Sequence, residues 1–158
     1  MSRSVDALQE ALKAEHAAVY GYGVVGARLR GALRRSATAH WDAHRLQRDR
    51  LMARISQRGA RPVAAAPAYR LPVRVTSART AAELAAALED GVVTAYAGLA
   101  GAPEAALRTL AARAMQEAVA RSVRWRNGAG LPRANGAAFP GLPPSALTPR
   151  QRPGAEPG

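Results

Sequence analysis

Residues 8–33 read LQEALKAEHAAVYGYGVVGARLRGAL, and within this segment one regular stripe of side chains indicates the architecture. The stripe advances by alternating steps of four and three residues. Its members are Leu8, Leu12, Glu15, Val19, Tyr22, Gly26, Leu29 and Leu33. Side chains at these spacings lie on one face of an α-helix, and a largely apolar face of this length is typical of the seam of a helix bundle. The segment therefore predicts a long, packed helix from about Ser4 to Leu33.

Three further helices and one long connection follow along the chain. The second helix is predicted over 36–57, the third over 80–100 and the fourth over 103–127. Thr80 and Glu83 form a capping-box pattern at the start of the third. The connection over 58–79 contains three prolines, and a connection of this length can run along a whole bundle. The sequence thus predicts an all-α, ferritin-like four-helix bundle, in which a long crossover joins two helical hairpins.

The composition of the chain predicts its domain organisation and its cellular compartment. Alanine accounts for much of the 48% hydrophobic content and aromatics for only 4%, which suits closely packed helices. We expect the bundle to occupy 1–127 and a Pro/Gly-rich, disordered tail to occupy 128–158. The chain has no cysteine, which excludes disulfides and thiolate metal ligands. Without an apolar run of membrane-spanning length or a signal-peptide pattern, a cytoplasmic protein with no membrane partner is expected.

The formal net charge of +12 comes almost entirely from arginine, because Lys13 is the only lysine. Such a field attracts polyanions. The arginines of the second helix are spread around it, however, and no aromatic platform or base-reading motif accompanies them. We therefore expect a solvated basic surface, with nucleic-acid binding as the less favoured alternative.

The two predicted hairpins resemble each other. The segment Glu15-His-Ala-Ala-Val-Tyr-Gly-Tyr22 aligns with Glu89-Asp-Gly-Val-Val-Thr-Ala-Tyr96 at an offset of 74 residues. Both place an apolar residue four positions after a carboxylate and a tyrosine seven positions after it. The same offset sets His44 opposite Ala118, one residue from Glu117, and a slip of one residue would align His44 with Glu117.

This duplication predicts a buried centre. Glu15, His44, Glu89 and Glu117 would lie at similar depth on four different helices. Unpaired charges are costly inside a bundle, so these side chains need a metal, each other or arginine as partners. For Glu117, an ion pair with Arg121 on the flank of the helix is an alternative.

Several segments carry a family resemblance. They are Ala14-Glu-His-Ala-Ala-Val-Tyr-Gly-Tyr-Gly23, Ala43-His-Arg45, Tyr69-Arg-Leu-Pro72, Leu88-Glu89, Trp125-Arg126 and Phe139-Pro-Gly141. Together they resemble a ferritin-like domain of unknown function from high-GC, actinobacterial-type bacteria, over most of the chain. The resemblance implies a fold and no assigned activity.

Di-iron ferritin-like proteins use one glutamate on each of two helices and Glu-x-x-His on each of the other two. Against this pattern Glu15 and Glu89 match the single glutamates, and His44 and Glu117 match half of each motif. The remaining two positions hold Trp41, expected to fill space that metals would need, and Ala120. Four of six ligands are therefore present, with His40 as a weaker additional candidate one turn from His44.

These observations predict a non-catalytic bundle with a degenerate di-iron site, acting through association, most simply as a homodimer. In this interpretation the centre is a buried hydrogen-bond network with Tyr22 and Tyr96 as donors and no cofactor. The alternative is an oxidase or iron-handling protein that binds iron or manganese through the reduced ligand set.

Overall fold

Alanine-rich amphipathic segments fold into four α-helices in the structure, a computed structural model that describes residues 2–132. The helices are α1 (Arg3–Arg28), α2 (Gly31–Ser56), α3 (Ala78–Ala100) and α4 (Ala105–Gly128). α1 packs against α2, α3 packs against α4, and α1 also packs along α3. The predicted all-α architecture of two hairpins is confirmed; beyond residue 132, the predicted tail lies outside the described residues. Within residues 2–132 no helix is long and apolar enough to cross a membrane.

The first helix ends earlier than its stripe predicts. Leu29 and Arg30 are extended, and α2 begins at Gly31, whose φ of 54° lies in the left-handed region that favours glycine. Leu29 is buried, whereas Leu33 is 40% exposed. The chain therefore turns directly after its last core residue, and the continuation of the helix to Leu33 was wrong.

The third helix begins two residues before the predicted start. Ser77 is its N-cap: the Ser77 hydroxyl accepts from the Thr80 amide at 3.1 Å, and the Thr80 hydroxyl accepts from the Ser77 amide at 2.9 Å. Glu83, which we expected to complete a capping box with Thr80, instead forms an ion pair with Arg79 at 3.3 Å. A capping box is present, but one turn nearer the N-terminus than predicted.

The crossover runs along α1. The Gln9 amide group donates to the Arg61 carbonyl at 2.8 Å and accepts from the Val63 amide at 2.9 Å. Further along, a ring nitrogen of His16 lies 3.0 Å from the Val63 carbonyl oxygen. The crossover thereby helps to bury His16, which is 7% exposed.

Two apolar clusters fill the core on either side of its midpoint. Leu8, Leu12, Ile55 and Leu107 belong to one of them. The other includes Tyr22, Val25, Leu29, Leu84 and Trp125. Glu15, His44 and Glu89, three of the ionisable side chains predicted for the centre, are buried near the boundary between these clusters.

α1 and α3 approach closely at Gly21. A Cβ atom on Gly21 would lie 2.5 Å from Cδ1 of Leu88, which is closer than real Cβ contacts allow. At Gly23 and Gly26 of the same helix, a Cβ atom would meet nothing within 4 Å. Of these three glycines in α1, only Gly21 therefore permits a close approach between helices.

Gly21→Leu should lower the free energy of unfolding by about 1–3 kcal/mol, because it overpacks the α1–α3 contact. Gly91→Leu is the matched control, since a Cβ atom at Gly91 meets nothing within 4 Å. Removing that helical glycine should raise stability by about 0.5–1 kcal/mol. Urea denaturation measures both variants, and equal effects would contradict the close approach at Gly21.

Candidate functional site

Three ionisable side chains from three helices meet at the middle of the bundle. Glu15 on α1, His44 on α2 and Glu89 on α3 are 1%, 1% and 0% exposed. Each lies on the inward stripe of its helix, at the depth that the duplication predicts. The structure therefore brings together three of the four residues proposed for the centre.

His44 bridges the two carboxylates. Its Nδ1 lies 2.7 Å from Oε2 of Glu15, and its Nε2 lies 3.1 Å from Oε1 of Glu89. A neutral imidazole has one N–H and can donate to only one of these acceptors, whereas an imidazolium donates to both. The geometry therefore favours a protonated His44 between two carboxylates.

Two tyrosines complete the carboxylate contacts in a reciprocal manner. Tyr22 of the first hairpin donates to Oε1 of Glu89 at 2.5 Å, and Tyr96 of the second donates to Oε1 of Glu15 at 2.6 Å. Each hairpin thus supplies a hydroxyl to the carboxylate of the other. This exchange fits the internal duplication and matches the donor roles proposed for both tyrosines.

Arg121 supplies a second cation from α4. Its Nε lies 2.9 Å from Oε1 of Glu89, and its side chain is only 13% exposed. Two carboxylates, Glu15 and Glu89, are therefore matched by two cations, His44 and Arg121. The sequence pointed to Arg121 only as a possible partner of Glu117.

Glu117 lies outside the centre. Its side chain is 67% exposed and contacts Arg121 at 3.8 Å, in agreement with the alternative of an ion pair on the helix flank. Ala118 is fully buried instead. The expected slip of one residue was therefore wrong: the offset of 74 aligns His44 with Ala118 without interruption, because the small apolar residue faces the core and the carboxylate faces water.

Trp41 and Ala120, the two positions at which a metal ligand was expected to be missing, also lie outside the centre. Trp41 is partly buried between α1 and α2, where its Nε1 donates to the Val19 carbonyl at 3.1 Å and the Arg45 guanidinium lies 4.5 Å from the ring centroid. It does not fill the centre, which corrects the expected role.

Ala120 is exposed on α4. At the uninterrupted offset, the α4 positions that correspond to Trp41 and His44 are Met115 and Ala118.

His40 belongs to a neighbouring network. Trp125 directs its Nε1 at the Tyr22 hydroxyl, 2.9 Å away, and at Nδ1 of His40, 3.2 Å away. Burial lowers the pKa of His40 to about 4; the charge of Glu89 opposes this shift and that of Arg121 adds to it. His40 is therefore neutral and acts as an acceptor next to the centre.

Electrostatics in the centre favour the charged forms of His44 and Glu89. Burial by itself would lower the pKa of His44, but hydrogen bonds to Glu15 and Glu89 outweigh it and raise the pKa from 6.5 to about 9. Burial likewise opposes ionisation of Glu89, yet the His44 hydrogen bond and the charges of His44 and Arg121 lower the pKa of Glu89 below its ordinary value. Burial and the adjacent carboxylates raise the pKa of Tyr22 and of Tyr96, so both remain donors.

This donor set does not fit a di-metal centre. Both ring nitrogens of His44 and both oxygens of Glu15 are already paired, and Oε1 of Glu89 accepts from three donors. Among residues 2–132, no group of three or more histidine, aspartate and glutamate side chains has an arrangement that could hold a metal ion. Oε2 of Glu89 is the exception to the pairing: it is buried and has no hydrogen-bond partner in this part of the chain.

Comparison with known proteins finds one family and a solved relative. The model of a Domain of unknown function (DUF4439) matches residues 7–144. The crystal structure of a conserved hypothetical protein, Rv2844 from Mycobacterium tuberculosis, matches at 34% sequence identity with a TM-score of 0.77, covering 80% of this chain and 97% of that one. A search of curated proteins finds no match.

The pH dependence of stability tests the charge of His44. Its folded pKa lies above the unfolded value, so the stabilisation is fully present below pH 6.5 and is lost as the pH rises through about 9. His44→Gln should cost about 3–5 kcal/mol at the lower pH, as expected for a broken buried ion pair. Its deficit relative to the wild type should shrink as the pH rises.

Thermal and urea denaturation across this pH range provide the measurement. His40→Gln serves as the control. Folded His40 has a pKa of about 4, so it does not change its charge between pH 6.5 and 9. A deficit of His44→Gln that stays constant from pH 6.5 to beyond 9 would show that His44 is neutral in the folded protein.

Proposed function

The chain belongs to the family of the Domain of unknown function (DUF4439), and from this membership and the site we propose a non-catalytic, ferritin-like bundle that acts by binding partners. In this proposal an internal ion-pair network stands where related bundles would hold a di-iron centre. The core then serves as a scaffold, and the functional contacts lie on the surface of the helices.

One observation carries the proposal: the charges of the centre balance without a metal. In di-iron bundles, metal cations offset the inward carboxylates. Here the guanidinium of Arg121 and the imidazolium of His44 offset Glu15 and Glu89. A metal ion entering the site would meet two resident cations and would have to displace paired hydrogen bonds.

The topology supports the ferritin-like assignment. Two hairpins, a crossover running along α1 and inward glutamates at equivalent positions of α1 and α3 are features of that class. The reciprocal hydrogen bonds of Tyr22 and Tyr96 support descent from a duplicated hairpin. A degenerate centre is then the simplest account of carboxylates that persist without a second histidine at Ala118.

A second candidate is a role that depends on one iron or manganese ion. The buried, unpaired Oε2 atom of Glu89 favours it, because a buried carboxylate oxygen without a donor is expensive. Binding would require His44 to lose a proton, since metals bind neutral imidazole. It would also place the ion near Arg121, which makes this candidate the less favoured of the two.

Metal analysis separates the two candidates. Protein purified without chelators should contain iron and manganese well below one ion per chain, with the same content in Glu15→Ala and His44→Ala. Glu117→Ala is the matched control, because it removes an exposed carboxylate next to the site. Near-stoichiometric metal in the wild type and in Glu117→Ala, lost from the two core variants, would refute the non-catalytic proposal.

Association with a second copy of the chain is part of the proposal. Gly23 and Gly26 lie on an open face of α1, where a Cβ atom would meet nothing within 4 Å. Together with Ala27 and Thr38 they line a shallow groove between α1 and α2. Helical glycines weaken a helix, so two on an open groove fit a face that a second helix approaches.

The wild type should therefore sediment as a homodimer, and Gly23→Leu/Gly26→Leu should shift it to monomer by filling the groove. Gly91→Leu, on the exposed face of α3, should leave the dimer unchanged. Sedimentation velocity over a range of concentrations provides the measurement. A monomeric wild type, or a double variant that still sediments as a dimer, would show that this groove is not a dimer interface.

A further inference from the structure

One of the four sides of the bundle, between α2 and α4, is only partly closed, with His40 and Trp125 in contact across it. α2 packs on α1 and α4 packs on α3, but α2 and α4 make no close backbone contact with each other. A cleft of about 380 Å³ lies between them instead. This volume falls within the range of small-molecule sites, roughly 300–1,000 Å³.

The sequence explains why the cleft stays open. Its α2 wall includes Gln47, Arg50 and Arg54, at helical spacings of three and four residues, and its α4 wall includes Arg113 and Glu117. In a closed bundle these would be apolar seam positions that interdigitate. Arginines on both walls repel each other and are costly to bury, which disfavours closure of the two helices along this stretch.

Within the described part of the chain, ion pairs do not offset the charge of the cleft arginines. Among residues 2–132, no carboxylate lies within ion-pair distance of Arg50, Arg54 or Arg113. Glu117, the one acidic residue that lines the outer cleft, contacts Arg121. Three arginines from two helices therefore line a concave space without a carboxylate partner among residues 2–132.

A smaller chamber extends the cleft inward. It has a volume of about 100 Å³ and shares Gln47, Arg50, Ala114 and Glu117 with the outer cleft. Its lining also includes Glu15, His44 and Arg121 of the central network. A ligand held in the outer cleft would thus have polar groups to contact at its inner end.

We propose that this cleft binds a phosphorylated small molecule, with the phosphoryl group between Arg50, Arg54 and Arg113. Guanidinium groups bind phosphate oxygens through paired, charge-assisted hydrogen bonds. Leu110 and Ala106 provide apolar contacts for the organic part, and Thr109 a hydroxyl. A concave cleft of this size suits a small molecule better than duplex DNA, whose phosphates lie on a convex surface.

This inference deepens the proposed binding role and rests on it. The experiment is isothermal titration calorimetry with inorganic pyrophosphate at near-physiological salt, on full-length protein before and after treatment with a chelator. The test variant is Arg50→Gln/Arg113→Gln. Arg74→Gln/Arg124→Gln removes the same charge from exposed positions outside the cleft and is the matched control.

We expect saturable binding to a single site that is unchanged by the chelator and by the control variant. The Arg50→Gln/Arg113→Gln variant should weaken it at least about tenfold, because it removes two charge-assisted contacts. Thermal denaturation with and without pyrophosphate gives a second readout, in which only the cleft variant loses the stabilising shift.

Several results would overturn the proposal. They are the absence of saturable binding, equal weakening by both double variants, and tighter binding of a short duplex DNA that displaces pyrophosphate. Loss of pyrophosphate binding after chelation would assign the phosphate to a bound metal, and it would contradict the non-catalytic proposal as well. A metal-free protein that fails to bind pyrophosphate would contradict only the proposed binding role of the cleft and would leave the non-catalytic proposal intact.

Discussion

The imidazolium of His44 lies between two buried carboxylates, and the placement of all four helices depends on satisfying this contact. Two carboxylates in an apolar core are tolerated only where cations and hydrogen-bond donors surround them. His44 and Arg121 supply the cations, and Tyr22 and Tyr96 supply further donors. Because these groups come from all four helices, sliding any helix by one turn, about 5.4 Å, would separate a charge from its partner. The network therefore sets the register of the bundle, while the apolar clusters on either side supply the burial.

The two halves of this network agree in their carboxylates and differ in their cations. Glu15 and Glu89, and Tyr22 and Tyr96, occupy equivalent positions and make reciprocal contacts. On the second helix of each hairpin the equivalence fails, since Ala118 stands where the first hairpin has His44. Without an imidazole at that position, the second hairpin has no cation equivalent to His44. Arg121, three residues further along α4 at the position that corresponds to Gln47 on α2, contacts Glu89 instead.

The sequence predicted the helices and much of the centre because both depend on local periodicity. The stripe from Leu8 to Leu29 is strong enough to define a helix face, and the duplication located Glu15 and Glu89 at one depth. The break at Leu29 was missed because the stripe continues through Leu33, and only the left-handed Gly31 requires the turn. Glu117 was placed inward because a carboxylate fits the expected ligand pattern better than Ala118. Alignment at a constant offset would have favoured the alanine.

The open side between α2 and α4 follows from how the core charges are balanced. If the carboxylates of the centre needed the arginines of the cleft, those side chains would turn inward and draw the two helices together. His44 and Arg121 meet that need at short range, so Arg50, Arg54 and Arg113 remain unpaired in the part of the chain that the structure describes. Their field adds up across a concave space with low-dielectric walls, where it is less screened than on a flat surface. Because cations within the bundle neutralise the carboxylates of the centre, the cleft arginines stay available to contact a ligand. The ion pairs that stabilise the core thus also leave the cleft able to bind.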